Sequence, residues 1–210
     1  TLVDIGECLI ASDSVNEQLH ELRETKGIRD GEYALKARAG TQHFEQTNDR
    51  VAELLLEQVA GMLPETMERL IDAYCGAGFF ARGLASRCEE VVGIEEHPNA
   101  VKRARDRAGE NERYIEGRVE AMLGEVLAQG SPDGTVVLLD PPAAGVGARV
   151  TDLLSAARPA RIIYISCDPA TLARDVAALG AGYVVEKVVP VDMFPQTAEV
   201  EVVLSMKRRG

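Results

Sequence analysis

The sequence contains no apolar run approaching the roughly 18 residues that cross a bilayer. Its N-terminus lacks the basic and apolar regions of a secretory signal. A soluble, cytoplasmic protein with no membrane partner is therefore expected. Cysteines are few and scattered: Cys8, Cys75, Cys88 and Cys167 form no CxxC pair and no cysteine–histidine cluster. That spacing argues against a disulfide framework and against a zinc site, and it fits a reducing compartment. Basic residues are also in deficit, with 23 Lys+Arg against 34 Asp+Glu and a net charge of −11. A surface that tracks a phosphate backbone over its whole extent is excluded, although a local basic groove is not. The acidic excess reads as solvated helix faces, as in "LGEVL". Internal repeats and low-complexity tracts are absent. Because the first residue is Thr1, a processed or excised chain with residues missing upstream is expected.

From about residue 70 the chain alternates short β-rich apolar runs with amphipathic helical patterns. The runs are "RLIDAY" (69–74), "EVVGIE" (90–95), "ERYIEG" (112–117), "TVVLLD" (135–140) and "ARIIYISC" (160–167). This alternation predicts an α/β, doubly wound, mostly parallel sheet with helices on both faces. Two later runs, "YVVEKVVPVDMF" and "AEVEVVLSMK", bring the strand count to seven. The link between them, "PQTAE", is too short for a parallel crossover, so this pair is predicted to be antiparallel. Val101, Ala104, Arg105 and Ala108 follow helical spacing, and Pro98 suits a first turn. "NDRVAELLLEQVAGML" places Val51, Leu54, Leu55, Val59 and Met62 on one helical face behind an Asn48 N-cap. Cys88 is read as a small packing residue on an amphipathic helix, and Cys75 as a tight fit inside a glycine loop. Residues 1–45, with a short strand, a helix through Val15, Leu19 and Leu22, a "RDGE" turn and a strand at "EYALKAR", form a small N-terminal α+β subdomain. Residues 46–210 form the main domain.

"LIDAYCGAGFFARGLA" places Gly76 and Gly78 after a strand, with a helix beginning near Phe79 and Glu95 closing the next strand. Glycines let backbone approach a nucleotide-like ligand, and a carboxylate at the following strand end accepts ribose hydroxyls. Read through Ala81, the loop also matches G-x-G-x-x-A, which leaves an NAD-dependent oxidoreductase open. Asp72, four residues before Gly76, puts a carboxylate where it attracts a cationic amino-acid moiety and repels a pyrophosphate. That sign favours S-adenosylmethionine.

"LLDPPAAG" ends the fourth strand at Asp140, and the two prolines stiffen an extended wall suited to a planar ring. In a doubly wound sheet the strand C-termini line the ligand crevice, so Asp140 and Cys167 are predicted to share a mouth with Gly76. Cys167 lies at a strand end directly before a helix start, which predicts thiolate character from the helix N-terminus. Oxygen and nitrogen nucleophiles attack a sulfonium methyl directly, whereas carbon 5 of a pyrimidine becomes nucleophilic only after a thiolate adds to carbon 6. A base must then remove the carbon 5 proton.

"FEQTN" (44–48), "DAYCGAGFF" (72–80), "VVGIEEHPNAV" (91–101), "LLDPPAAG" (138–145), "IIYISCDPATLARD" (162–175) and "VDMFPQTAEVE" (191–201) resemble, in order and spacing, the motifs of the RNA uracil-5-methyltransferases. The resemblance covers nearly the whole chain. It implies a sheet of the class I S-adenosylmethionine methyltransferase type and a catalytic domain over 46–210, with 1–45 the remnant of a central domain. It implies Cys167 as nucleophile, Glu201 as the base, and S-adenosylmethionine as cofactor contacted by Gln46, Tyr74, Gly76 and Glu95. Asp140 then sits between cofactor and uracil. The implied partner is a loop uridine of tRNA or rRNA, with an upstream or separate RNA-binding domain. Three positions depart from the pattern: Glu199 where many members carry His, Ala143 where Arg is usual, and Arg118 where an acid often stands. Cys8 resembles the last of four cluster cysteines found in some members, but the other three have no counterpart, so no iron–sulfur cluster is predicted. A degenerate homologue that binds without turnover is the alternative.

Overall fold

A computed structural model of the chain describes residues 49–192 and 200–210, together with Glu17, Gln18, His20, Glu21, Glu24 and Thr25. The chain divides into two compact units, Thr1–Ala52 and Glu53–Gly210. In the first, Glu17, Gln18, His20, Glu21 and Glu24 are helical, and the Thr25 hydroxyl donates to the Glu21 carbonyl at 2.7 Å. Val15, Leu19, Leu22, Cys8, Gln46, Asn48, Glu199 and the strand predicted at "EYALKAR" lie outside the described residues.

The second unit is built on seven strands: β1 (Met67–Ala73), β2 (Cys88–Glu95), β3 (Glu112–Glu116), β4 (Thr135–Leu139), β5 (Arg161–Ser166), β6 (Tyr183–Val191) and β7 (Glu201–Arg208). Their order across the sheet is β3-β2-β1-β4-β5-β7-β6. The first five strands pair in parallel, and β7 runs antiparallel to both β5 and β6. This reversal at β7 is the one that the short link predicts. Helices α1 (Asp49–Ala60), α2 (Phe79–Leu84), α3 (Pro98–Asp106), α4 (Val119–Ala128), α5 (Gly147–Ala157) and α6 (Pro169–Leu179) fall between strands. Pro98 and Pro169 occupy first-turn positions, where a missing N–H leaves no bond unmade.

Strand residues alternate between faces, so each strand contributes to two cores. On one side Ile71, Ile94, Val137, Leu139, Ile162 and Leu204 pack with Leu123 of α4, Leu154 of α5 and Leu172 of α6. The central strands are buried on both faces: all five residues of β4 are buried, as are the last five of β5. That explains their near-continuous Val, Ile and Leu runs. β6 forms one edge, with Val184, Val185 and Val188 exposed. Among the described residues no helix is long and apolar enough to cross a membrane.

Two local expectations are corrected. Leu54 is 46% exposed, while Leu55, Val59 and Met62 are buried. Adjacent helical residues point about 100° apart, so the apolar arc through Leu55, Val59 and Met62 leaves Leu54 off its edge. Cys88 is the first residue of β2, not a helical residue. Its half-buried thiol donates to the Leu84 carbonyl at 3.3 Å, and burial pushes it up to about 11.

Candidate active site

The strands deliver their functional side chains to one edge. Tyr74, Gly76 and Gly78 follow β1, Glu95 ends β2, Asp140 follows β4 and Cys167 follows β5. β7 is antiparallel, so Glu201, its first residue, arrives at the same edge. Asp72, Tyr74, Gly76, Gly78, Glu95, Asp140, Cys167 and Glu201 are thus brought to one end of the sheet. Gln46 lies outside the described residues.

The glycine loop is bent by three left-handed residues, Tyr74 at φ 68°, Gly76 at φ 52° and Gly78 at φ 80°. A tyrosine held there is strained, as occurs at sites where a ligand dictates loop shape. The two glycines differ in what they make room for. A Cβ built on Gly76 meets nothing within 4 Å, so open space lies beside its backbone. A Cβ on Gly78 would lie 2.6 Å from the Tyr114 hydroxyl. Gly78 therefore makes room for Tyr114. Cys75 is buried in the same loop, its sulfur 2.7 Å from where a Cβ on Gly93 would stand.

Glu95 organises this loop. One carboxylate oxygen accepts the Gly76 N–H at 3.0 Å and the other accepts the His97 N–H at 2.8 Å. Each oxygen keeps a second lone pair for a hydroxyl donor.

Asp72 does not face the open mouth as the sequence suggests. Its side chain is 0% exposed, and Oδ2 accepts the Ala81 N–H at 2.9 Å in the first turns of α2. Oδ1 is buried without a hydrogen-bond partner. Burial pushes the carboxyl up to about 8, and Asp140 and Glu95 add to the effect. Proximity in sequence to the glycine loop placed Asp72 correctly at the strand end, but the strand's alternation turned it beneath the loop. Tyr74 also leaves a buried hydroxyl without a hydrogen-bond partner.

Asp140 is half-buried, and its N–H donates to the Ala73 carbonyl at 3.4 Å. Burial, with the Glu201 charge beside it, pushes the Asp140 carboxyl up to about 7. Cys167 is exposed at the mouth. Its thiol is held above its ordinary value, first by loss of solvation and then by Glu201, with smaller contributions from Asp140 and Asp168. This reverses the thiolate character predicted from the helix N-terminus. Asp168 adds to this as the N-cap of α6: its side chain accepts the Ala170 and Thr171 N–H groups at 2.8 and 3.0 Å. The donors that would have stabilised a thiolate are taken by a carboxylate.

Of the positions that depart from the motif pattern, Arg118 and Ala143 are among the described residues. Arg118 is exposed at the N-cap position of α4, 3.5 Å from Glu120. Ala143 contributes its carbonyl, which accepts the Thr171 hydroxyl at 2.9 Å. Sequence reasoning missed Tyr164, Thr171, Arg174 and Asp175 as site residues, although all four stand inside the quoted "IIYISCDPATLARD". Their signal was a buried-strand tyrosine and an acid on a helix that otherwise follows apolar spacing.

What the edge can hold follows from its charge. Glu95 and Glu201, with Asp140 titrating near neutrality, give these strand ends an acidic lining that attracts a cation and repels a pyrophosphate. The open space at Gly76 and the remaining lone pairs of Glu95 fit a ligand bearing a cationic group and hydroxyl donors. Among the described residues no group of three His, Cys, Asp or Glu is arranged to hold a metal ion. A cleft of about 540 Å³ borders Arg161, the first residue of β5, and none of the candidate residues lines it.

Residues 127–209 match the family model described as tRNA (Uracil-5-)-methyltransferase, and residues 71–138 match a methyltransferase domain. The chain is thus similar to the RNA uracil-5-methyltransferase family. It is 41% identical over 171 residues to an uncharacterized RNA methyltransferase of Gloeobacter violaceus, covering 79% of this chain and 36% of that protein. With an uncharacterized RNA methyltransferase of Listeria innocua it is 36% identical over 207 residues, covering 96% of this chain and 42% of the relative. The chain thus spans about two-fifths of the length of these curated relatives. Among solved structures it is similar to the Pyrococcus abyssi tRNA (uracil-54, C5)-methyltransferase in complex with S-adenosyl-L-homocysteine. The TM-score is 0.66 at 30% identity, over 79% of this chain and 40% of that one. The N-methyltransferase NodS from Bradyrhizobium japonicum shares the fold, with a TM-score of 0.60 at 15% identity over 80% of this chain and 90% of its own. The sheet is therefore of the class I S-adenosylmethionine methyltransferase type.

Proposed function

We propose that the chain is the catalytic part of an S-adenosylmethionine-dependent methyltransferase acting on carbon 5 of a uridine in tRNA or rRNA. The observation that carries this reading is the placement of Cys167 and Glu201 at one sheet edge, with the Glu201 charge acting on the Cys167 thiol. A thiol and a carboxylate side by side are what carbon 5 methylation of a pyrimidine needs and what oxygen or nitrogen methylation does not.

S-adenosylmethionine, when bound, would supply an electrophilic methyl group to carbon 5, its sulfonium–methyl bond breaking to leave neutral S-adenosylhomocysteine. Gly76, Glu95 and Tyr74 would hold it, with Asp72 bracing their loop through the Ala81 N–H and Gln46 joining them by the family resemblance; Gly78 supports the loop through Tyr114. Cys167 gives its proton to a neighbouring carboxylate, and the thiolate forms a bond to carbon 6 of the uracil, moving electron density toward carbon 5 and the carbonyl at carbon 4. Asp140, titrating near neutrality, can present a proton to a uracil oxygen that gains charge. After carbon 5 has gained its methyl, Glu201 takes the carbon 5 proton. The freed electron pair re-forms the ring double bond, the bond from sulfur to carbon 6 breaks, and the thiolate is released.

Attack on carbon 6 requires access above the ring, so the target base must be unstacked from a loop into the site. The acidic composition supports an upstream or separate RNA-binding domain as the source of phosphate contacts.

Incubation with RNA carrying 5-fluorouridine in place of uridine, plus S-adenosylmethionine, tests the reading. Fluorine at carbon 5 cannot leave as a proton, so a covalent protein–RNA species is expected, absent from Cys167→Ser. Absence of any such species with both tRNA and rRNA, alongside measurable cofactor binding, would select the homologue that binds without turnover.

A further inference from the structure

The chemistry above makes no use of Asp175, a carboxylate of α6 that is only 2% exposed. A buried acid is costly unless its oxygens are fully engaged. Here they are. Oδ2 accepts the Val146 N–H at 2.9 Å and the Tyr164 hydroxyl at 2.8 Å. Oδ1 accepts Arg174 Nε at 2.9 Å and lies 2.8 Å from Arg174 Nη2. Arg174 Nη2 also donates to the Ala144 carbonyl at 2.9 Å, and Thr171 to the Ala143 carbonyl at the same distance.

These contacts share one target. Three residues on α6 grip Ala143, Ala144 and Val146, the distal half of the loop that begins at Asp140, Pro141 and Pro142. Between the gripped residues, Gly145 adopts φ 78°, and a Cβ there would stand 2.4 Å from Asp175 Oδ2. Only glycine lets the loop approach so closely. The two prolines restrict the proximal half. A shift at Val146 therefore has few soft torsions in which to dissipate before Asp140. Tyr164, fully buried in β5 two residues before Ser166, ties the same carboxylate to the strand that delivers Cys167.

We infer that Asp175 is a positioning residue: it clamps the Asp140 loop to the helix and strand that present Cys167, so that the wall against the base and the nucleophile keep one mutual geometry. The inference rests on the pyrimidine chemistry proposed above for its consequence in rate. The clamp itself is tested without turnover.

The full chain and its Asp175→Asn and Tyr164→Phe variants are compared by amide hydrogen exchange at Val146, thermal unfolding, S-adenosylhomocysteine affinity and the rate of trapping on 5-fluorouridine RNA. The expected result is faster exchange at Val146 in Asp175→Asn, with affinity for S-adenosylhomocysteine within about two-fold of the parent. Trapping at saturating RNA should fall on the order of 10- to 100-fold, as for an ångström-scale misplacement of a reacting group. Tyr164→Phe removes a single hydroxyl and should show the same pattern more weakly; if Asp175→Asn does not fold, Tyr164→Phe decides on the same readouts. Unchanged Val146 exchange, or a trapping loss no larger than the loss of folded protein, would overturn the inference. If the parent chain itself does not trap, the pyrimidine reading fails, and exchange at Val146 alone decides the clamp.

Discussion

Cys167 directly follows β5 and Glu201 opens β7, at the same end of two antiparallel strands. The registered pairs run from Arg161 with Lys207 to Ser166 with Val202. Cys167 follows the last of these pairs and Glu201 precedes it. The same β7 residue that raises the Cys167 thiol also raises Asp140. Cys167, Glu201 and Asp140 are thus one electrostatic unit.

Glu201→Gln separates the two halves of the proposed reaction. Removing the charge relieves the thiol, so adduct with ordinary uridine RNA should form and persist, while release of methylated product falls on the order of 100- to 10,000-fold. Gel-resolved adduct and product yield, measured together, check this. Product release at the parent rate would assign the base elsewhere.

The raised thiol predicts the alkaline side of the pH profile. Because burial and Glu201 hold the Cys167 proton on, the rate of alkylation of the free protein should keep rising with pH past the ordinary thiol value. Asp168→Ala removes one carboxylate and frees the Ala170 and Thr171 N–H groups. Iodoacetamide should then react faster at a given pH, while the unfolding midpoint falls through the lost cap. Slower reaction in the variant would contradict the account of Asp168.

Stability should fall as pH rises. Asp72 has a folded value of about 8 against an ordinary 3.8, so between those limits the native state binds more protons than the unfolded one. Its contribution is intact below about pH 4 and declines until pH passes about 8, an effect on the order of 5 kcal/mol at most. Asp140, raised to about 7, adds to the same slope. Chemical denaturation from pH 5 to 9 should show the decline, and Asp72→Asn should flatten it. A parent curve that rises over this range would refute the assignment.

The two loop glycines should separate by function. Gly76→Ala pays only the left-handed penalty, about 1–2 kcal/mol, yet fills the open space beside its backbone; S-adenosylhomocysteine affinity should drop. Gly78→Ala adds a clash with Tyr114 and should destabilise the fold more. Denaturation midpoints and calorimetric titration distinguish them. Equal stability losses in the two variants would remove the distinction.

The parallel strands were legible because burial on both faces leaves continuous apolar runs such as "TVVLL", and the reversal at β7 followed from a link too short to cross over. What the sequence hid depends on direction and on distant partners. Leu54 looked like its neighbour Leu55 until the arc of the helix excluded it. Asp72 was visible as a strand-end acid, but not its burial under the loop. Cys167 was visible at a helix start, and so was Asp168, but which of them takes the N-terminal donors is a matter of side-chain geometry. Tyr164, Arg174 and Asp175 were in plain view within a quoted motif. Their meaning lies in Ala144 and Val146, which only the folded loop brings near.

The placement of β7 has a consequence for assembly. It is last in sequence yet lies between β5 and β6 in space, so β6 cannot join the sheet until the final strand has arrived to bridge it. The acidic loop region, by contrast, is complete within β1, β2 and β4. The residues proposed to bind the cofactor can therefore be in place before the proposed base reaches the site, and a chain that stops short of Glu201 would keep those residues and the Cys167 thiol but have neither a seated edge strand nor the proposed base. Non-local insertion of this kind is slow. In this fold the last step of chain closure is also the step that arms the cysteine's partner.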